Sequence, residues 1–127
     1  MKLYEYSENS IDVLRLRGEI DLHYAPVFRA LLKTKAKGRC RKLLLDMTAV
    51  SYVDSSGLSA ILEYLRDATK FGGCFCIGGV GKQLRGIFEM IHLTKVMPIF
   101  ADAGEAKLAL VCNRVPTPSE RIFAPDE

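Results

Sequence analysis

An aspartate, two serines and a glycine stand together at Asp54, Ser55, Ser56 and Gly57, directly before an apolar pattern with helical spacing. A serine can do two kinds of chemistry here. It is a nucleophile when an adjacent base takes its proton, and a phosphate acceptor when a kinase reaches its hydroxyl. The first needs a histidine and an aspartate in contact with it. The chain has two histidines, His23 and His92, and the strained G-x-S-x-G turn of a serine hydrolase is absent. GLSAI, Gly57 to Ile61, fails at its last position. GGVGK, Gly78 to Lys82, lacks the spacing of a phosphate loop, so its glycines read as a tight strand-to-helix turn. Cys40, Cys74, Cys76 and Cys112 contain no C-x-x-C and no zinc spacing; they read as buried free thiols in a reducing compartment. No catalytic residue, metal or cofactor is expected, and the chain is not read as an enzyme.

The second chemistry fits the local setting. A helix N-terminus has unpaired N–H groups and the positive end of the dipole. Asp54 or Ser55 can cap it, and the N–H groups at Ser56 and Gly57 can approach an anion. A phosphate on Ser55 would carry about −1.5 to −2 charge without melting the helix. Asp54 would oppose it, so the modification would act outward, on whatever docks there. By local spacing alone, DSSG reads first as a plain N-cap, since Ser and Asp are the preferred capping residues.

The elements that position this motif follow from periodicity. Lys2–Tyr6 and Ile11–Glu19 read as two strands around a turn at Ser7–Ser10, with Leu14 and Leu16 on one face and Arg15 and Arg17 on the other. Pro26 opens a helix whose apolar side is Val27, Phe28, Leu31 and Leu32, and Gly38 stops it. Lys42–Met47 reads as a strand buried on both faces. The helix after DSSG places Leu58, Ile61, Leu62 and Leu65 inside and Ser59, Glu63, Arg66 and Asp67 outside. A buried strand follows at CFCIGGV. Next come a helix with Leu84, Ile87, Phe88 and Ile91 inside, an edge strand at VMPIF marked by Pro98, and a last helix at ADAGEAKLALV. His92, near a helix end, reads as a capping or packing residue. The order β-β-α-β-α-β-α-β-α is that of an α/β domain: a small, mixed, mostly parallel sheet packed with about four helices, its first strand antiparallel.

The totals agree. The 127 residues suit one domain, taken as 1–112, with a Pro-rich extension at 113–127 that loses periodicity. A net charge of +3 gives no reason to expect nucleic acid, and the basic run Lys33–Lys42 reads as a solvated helix end and loop. No segment is long and apolar enough to span a membrane, and the start MKLYEYSENS has no apolar core of a secretory signal, which points to the cytoplasm.

Three segments together resemble the STAS domain family, and in particular bacterial anti-sigma factor antagonists. They are G-E-I-D at Gly18–Asp21, D-x-[ST]-x-V-x-x-x-D-S-S-G-L from Asp46 to Leu58, and L-x-x-I-F-x-x-x-x-L-x-K-V-x-x-I-F from Leu84 to Phe100. The resemblance implies that Ser55 is the phosphate acceptor. It implies that the unphosphorylated chain binds an anti-sigma factor that is also a serine kinase, releasing a sigma factor, and that a serine phosphatase reverses the phosphorylation. It also implies a partner-binding surface of Asp21, His23, Asp54, Ser56, Gly57, Ser59, Glu63 and Arg66. The family's glycine after Gly-Leu is here Ser59, and Leu22 and Tyr24 flank His23 where polar residues are common. Two alternatives stay open: a non-switching scaffold subunit of a stress-sensing or lipid-transport complex, and a nucleotide-binding STAS module.

Overall fold

Asn9 and Ser10, both at positive φ (53° and 64°), close a two-residue turn between β1 (Lys2–Glu8) and β2 (Ile11–Ile20). Two positive φ angles give the turn a twist that matches a right-handed hairpin. Ser7 and Glu8 pair with Asp12 and Ile11, so the turn is tighter than the four residues expected from sequence. The structure is a computed structural model that describes residues 1–115.

Beyond the hairpin the chain runs through α1 (Ala25–Lys37), β3 (Lys42–Val53), α2 (Ser55–Phe71), β4 (Cys74–Gly78), α3 (Lys82–Met90), α4 (Leu93–Val96), β5 (Ile99–Phe100) and α5 (Ala103–Val111). The sheet order is β1-β2-β3-β4-β5. β1 is antiparallel to β2 and all other neighbours are parallel. The expected class and element order stand, with two differences. The described residues hold five helices, because one turn at Leu93–Val96 follows His92, which takes a left-handed φ of 62°. β3 also continues to Val53, where a loop was expected after Met47. Its register against β2 slips twice, between Arg15 and Arg17 and between Gly18 and Glu19. At each slip β3 holds an extra residue, so Thr48 and Ala49 are both exposed, as are Ser51 and Tyr52. These bulges keep Val50 and Val53 pointing into the core.

α1 and α2 lie side by side over one face of the sheet, on a core that includes Leu14, Leu16, Phe28, Leu45, Ile61, Tyr64 and Leu65. Burying Ile61 or Leu65 contributes about 2 kcal/mol each. The inward stripe of α2 is Gly57, Ala60, Ile61, Tyr64, Leu65 and Ala68; Leu62 turns out to solvent, contrary to expectation. Tyr64 has an aromatic ring, and Ala60 and Ala68 are small. The stripe therefore sits to one side of where the leucines alone would place it. Val27 and Ile91 are likewise exposed, Ile91 because α3 ends at Met90. α5 covers part of the opposite face, over Ile11, Val13, Leu44 and Cys76.

The glycine turn GGVGK is structural. Gly79 has φ 83°, and a Cβ there would stand 2.2 Å from Thr48 Oγ1. Of the four thiols only Cys76 is fully buried; Cys40 and Cys74 are half-buried and Cys112 is exposed. The basic run is solvated except at Lys35, whose ammonium pairs with Glu5 and Asp12 and is only 13% exposed. Most of the extension, residues 116–127, lies outside the described residues. Val115 is buried against the α5 cluster.

Candidate functional site

Asp54 stands between the end of β3 and the first turn of α2 and is the N-cap of that helix. Its Oδ1 accepts the backbone N–H of Ser56 at 3.0 Å and of Gly57 at 3.2 Å. The same oxygen accepts the Ser56 hydroxyl at 2.5 Å. That hydroxyl is the main cause of a lowered Asp54 pKa; desolvation opposes it, and the N–H groups of Gly57, Ser56 and Leu22 add to the lowering. The carboxylate is therefore ionised at neutral pH. The N–H groups expected to receive an anion already hold one, the chain's own.

The two serines differ sharply. Ser56 is half-buried and its hydroxyl is committed to Asp54. Ser55 is exposed at the first helical position, and among the described residues its Oγ has no hydrogen-bond partner. A phosphate on Ser55 would find little left to gain from the helix end and a carboxylate next to it. It would project into solvent.

Gly57 is buried, and its role is one of space. A Cβ there would stand 2.8 Å from Val53 Cγ1, 2.9 Å from Ile20 Cγ2 and 3.3 Å from the Ile20 carbonyl oxygen. The missing side chain lets α2 start tight against the ends of β2 and β3. Asp54 N–H donates to Ile20 O at 3.1 Å and closes the same seam. The β2–α1 loop is thereby held against the β3–α2 loop. Within it, Asp21 Oδ1 accepts the N–H groups of His23 (3.0 Å) and Tyr24 (3.2 Å), so Asp21 shapes the turn into α1. His23 is exposed, edge-on to Tyr24 at 4.7 Å.

Ser55, Ser59, Leu62 and Arg66 follow one another at helical spacing along a single exposed stripe of α2. Glu63 sits beside that stripe but is occupied. Its carboxylate lies 3.2 Å from Arg29 Nε and 3.2 Å from Lys33 Nζ, tying α2 to α1. The Arg29 contact lacks hydrogen-bond alignment and is purely ionic. Sequence reading missed two members of this surface. Leu22 is 76% exposed beside Asp54, and Leu62 is 38% exposed in the stripe. The spacing of Leu62 from Ser55, Ser59 and Arg66 was the available signal. The structure thus brings Asp21, His23, Asp54, Ser55, Ser56 and Gly57 together at one end, and runs Ser59 and Arg66 away from them along α2.

A groove of about 710 Å³ lies elsewhere. It is open to solvent and runs between the far ends of α1 and α2 past Lys33, Lys37, Arg39 and Lys70. Ser55 is at the other end of α2, and of the residues above the groove touches only Glu63 and its partner Lys33. Among the described residues no cluster of His, Cys, Asp or Glu could hold a metal ion, and no helix is long and apolar enough to cross a membrane.

The family model described as STAS domain matches residues 6–106. The anti-sigma-B factor antagonist of Bacillus subtilis is 32% identical over 95 residues, covering 75% of this chain and 85% of that one. Among solved structures, an anti-sigma factor antagonist from Mycobacterium paratuberculosis superimposes with a TM-score of 0.78 at 22% identity, over 85% of this chain and 92% of that one. The antagonist SpoIIAA of Bacillus has been solved unphosphorylated (TM-score 0.69, 23% identity, 89% and 98% covered) and phosphorylated (0.70, 22%, 86% and 99%).

Proposed function

The chain belongs to the STAS domain family, and from that premise we propose that it is an anti-sigma factor antagonist switched by phosphate on Ser55. Unphosphorylated, it binds an anti-sigma factor that is also a serine kinase, and a sigma factor is released. Phosphorylation by that kinase ends the complex, and a serine phosphatase restores it. On this reading it is a cytoplasmic binding module that catalyses nothing itself. The relatives named as anti-sigma factor antagonists support the role.

The observation that carries the switch is the contrast between the two serines. Ser55 offers a free hydroxyl at the head of an exposed stripe, whereas the Ser56 hydroxyl is held by Asp54. The docking surface is the stripe Ser55, Ser59, Leu62 and Arg66 together with Leu22 and His23. Leu22 and Leu62 supply desolvated contact area, and Ser59 allows close approach. Asp21, Asp54, Ser56 and Gly57 act by holding the two loops in register, and Glu63 by holding α2 to α1. A phosphate in this setting places about two negative charges on a surface otherwise matched to the partner. It repels and misfits without unfolding the domain.

The test is capture of a serine-kinase anti-sigma factor by wild type, Ser55→Ala, Ser55→Asp and Ser56→Ala, each with ATP or ADP. Ser55→Ala is expected to bind with either nucleotide and Ser55→Asp with neither, with both remaining folded by circular dichroism. Ser56→Ala should keep its phosphorylation at Ser55. Equal capture by Ser55→Ala and Ser55→Asp would leave Ser55 as a capping-turn residue and favour the scaffold alternative.

A further inference from the structure

α1 and α2 close their C-terminal ends in the same way, with one difference. At the end of α2 the Gly73 N–H donates to Ala68 O at 3.0 Å, and Gly72 takes the left-handed φ of 75° that this closure needs. At the end of α1 the Cys40 N–H donates to Lys35 O at 3.1 Å, and the left-handed residue is Arg39, at φ 51°. A glycine is adjacent, but Gly38 stands one place too early and keeps right-handed helical angles. Arg39 holds the left-handed position against the crowding of its own Cβ, which a glycine would avoid. It lines the groove of about 710 Å³ between the two helix ends, together with Lys37 and Lys70. All three cations are exposed, and among the described residues none has a carboxylate within ion-pair distance. Lys37 and Lys70 lie in the last turns of their helices, where a cation suits the dipole. Arg39 lies past that turn, so the dipole does not account for it.

The rest of the groove narrows the ligand. Ala36 and Phe71 are half-buried and packed on the core, so part of the lining is apolar. Of the two lining carboxylates, Glu63 is taken by Arg29 and Lys33, and Asp67 has no ion-pair partner among the described residues. Each helix runs along the groove for about 9–12 Å, at 1.5 Å per residue. That length, and a volume inside the range of about 300–1,000 Å³ typical of ligand sites, suit a small molecule. We propose that the groove binds a small organic polyanion, with two or more phosphate or carboxylate groups held by Arg39, Lys37 and Lys70. Its carbon skeleton lies on Phe71 and Ala36, and a hydroxyl or other donor answers Asp67. A guanidinium grips either kind of oxyanion with two parallel N–H donors. This is what the side chain at position 39 supplies and a glycine there would not. The groove is at the opposite end of α2 from Ser55, so the site does not depend on the reading of that serine.

The test titrates the full chain with inorganic pyrophosphate and with citrate, against sodium chloride at matched ionic strength, and follows amide NMR shifts. Saturable shifts are expected at Lys37, Gly38, Arg39, Lys70 and Phe71. Tighter binding of pyrophosphate assigns the phosphate class, and tighter binding of citrate the polycarboxylate class. Arg39→Gly should weaken binding about tenfold, the loss of one bidentate charged contact. The same substitution should raise the urea midpoint, because glycine suits the left-handed position. Lys70→Gln should weaken binding about threefold, as befits one exposed charge. Asp67→Asn should tighten pyrophosphate by removing a like charge. Capture of an anti-sigma factor by Arg39→Gly should match wild type. Three results would overturn the proposal. One is that neither probe gives saturable shifts at these positions beyond those of sodium chloride, which would leave the groove a solvated basic surface. Another is equal affinity in Arg39→Gly and wild type. The third is an Arg39→Gly midpoint below wild type, which would show that the arginine serves the fold.

Discussion

Gly57→Ala asks whether the first turn of α2 is as tightly seated as the geometry requires. The new methyl would fall 2.8 Å from Val53 Cγ1 and 2.9 Å from Ile20 Cγ2. Both neighbours are β-branched, 3% and 0% exposed, and cannot swing aside by changing χ1 alone. The third contact, Ile20 O at 3.3 Å, is backbone. Overpacking of this kind costs about 1–3 kcal/mol. Alanine's better helix propensity returns at most about 1 kcal/mol, and less at a terminal turn than in a helix interior. The net expectation is a loss of about 1–2 kcal/mol. Gly86→Ala is the matched control. Gly86 is exposed inside α3 with nothing within 4 Å of a built Cβ. The same methyl there should stabilise by about 0.5–1 kcal/mol. Urea unfolding followed by circular dichroism, with m on the order of 1–2 kcal/mol/M, should separate the two midpoints by about 1 M or more, one below wild type and one above. A Gly57→Ala midpoint at or above wild type would refute the seating of α2. In native buffer Gly57→Ala should also weaken partner capture, because the turn that carries Ser55 must lift away from β2 and β3.

Two further outcomes are expected. Burial raises the Asp12 pKa, but the hydrogen bonds from Lys35, Ser7 and Cys40 outweigh it and leave it below 3.8. Burial lowers the Lys35 pKa, but its bonds to Glu5 and Asp12 outweigh that and leave it above 10.5. The stability from this pair is therefore present between those two values. It is lost as pH falls through the depressed Asp12 pKa or rises through the elevated Lys35 pKa. The wild-type advantage over Lys35→Met, measured by urea midpoints, should be flat from about pH 5 to 9 and vanish toward both extremes. The thiols should rank by accessibility and ionisation. Burial pushes Cys40 up to about 11 and Cys76 up to about 12, and Cys112 is exposed. Iodoacetamide at pH 8 with peptide mapping should label Cys112 first and Cys76 only on unfolding.

Much of the frame was readable because it obeys local periods. The run from Leu43 to Met47 and the run from Phe75 to Gly78 are buried as expected, and Arg15 and Arg17 do alternate with Leu14 and Leu16. What escaped the sequence breaks those periods or depends on distant residues. The far half of β3 hides behind two bulges, since exposed pairs at Thr48–Ala49 and Ser51–Tyr52 destroy the alternation that marks a strand. α4 is a single turn, too short to show a helical repeat. Leu62 was placed inside because a leucine pattern was followed, when Gly57, Ala60, Tyr64 and Ala68 set the true inner stripe. Lys35 was read as solvated because its partners Glu5 and Asp12 are remote in sequence. At the site, the motif gave the cap. It could not show that Asp54 consumes the N–H groups and the Ser56 hydroxyl, which is what separates the two serines.

The seat of Gly57 is built from Ile20 on β2 and Val53 on β3, strands that meet only through a parallel crossover. The Ser55 turn is accordingly a conformational epitope and not a linear one. A synthetic peptide from Val50 to Arg66 would carry every residue of the motif and none of its shape. Order of synthesis adds to this. β2, α1 and β3 all precede Ser55, so both walls of the seat emerge from the ribosome before the hydroxyl they present. An enzyme that reads this shape acts on chains whose first half has already assembled, so any mark it leaves is also a record that the hairpin, crossover and seam have formed.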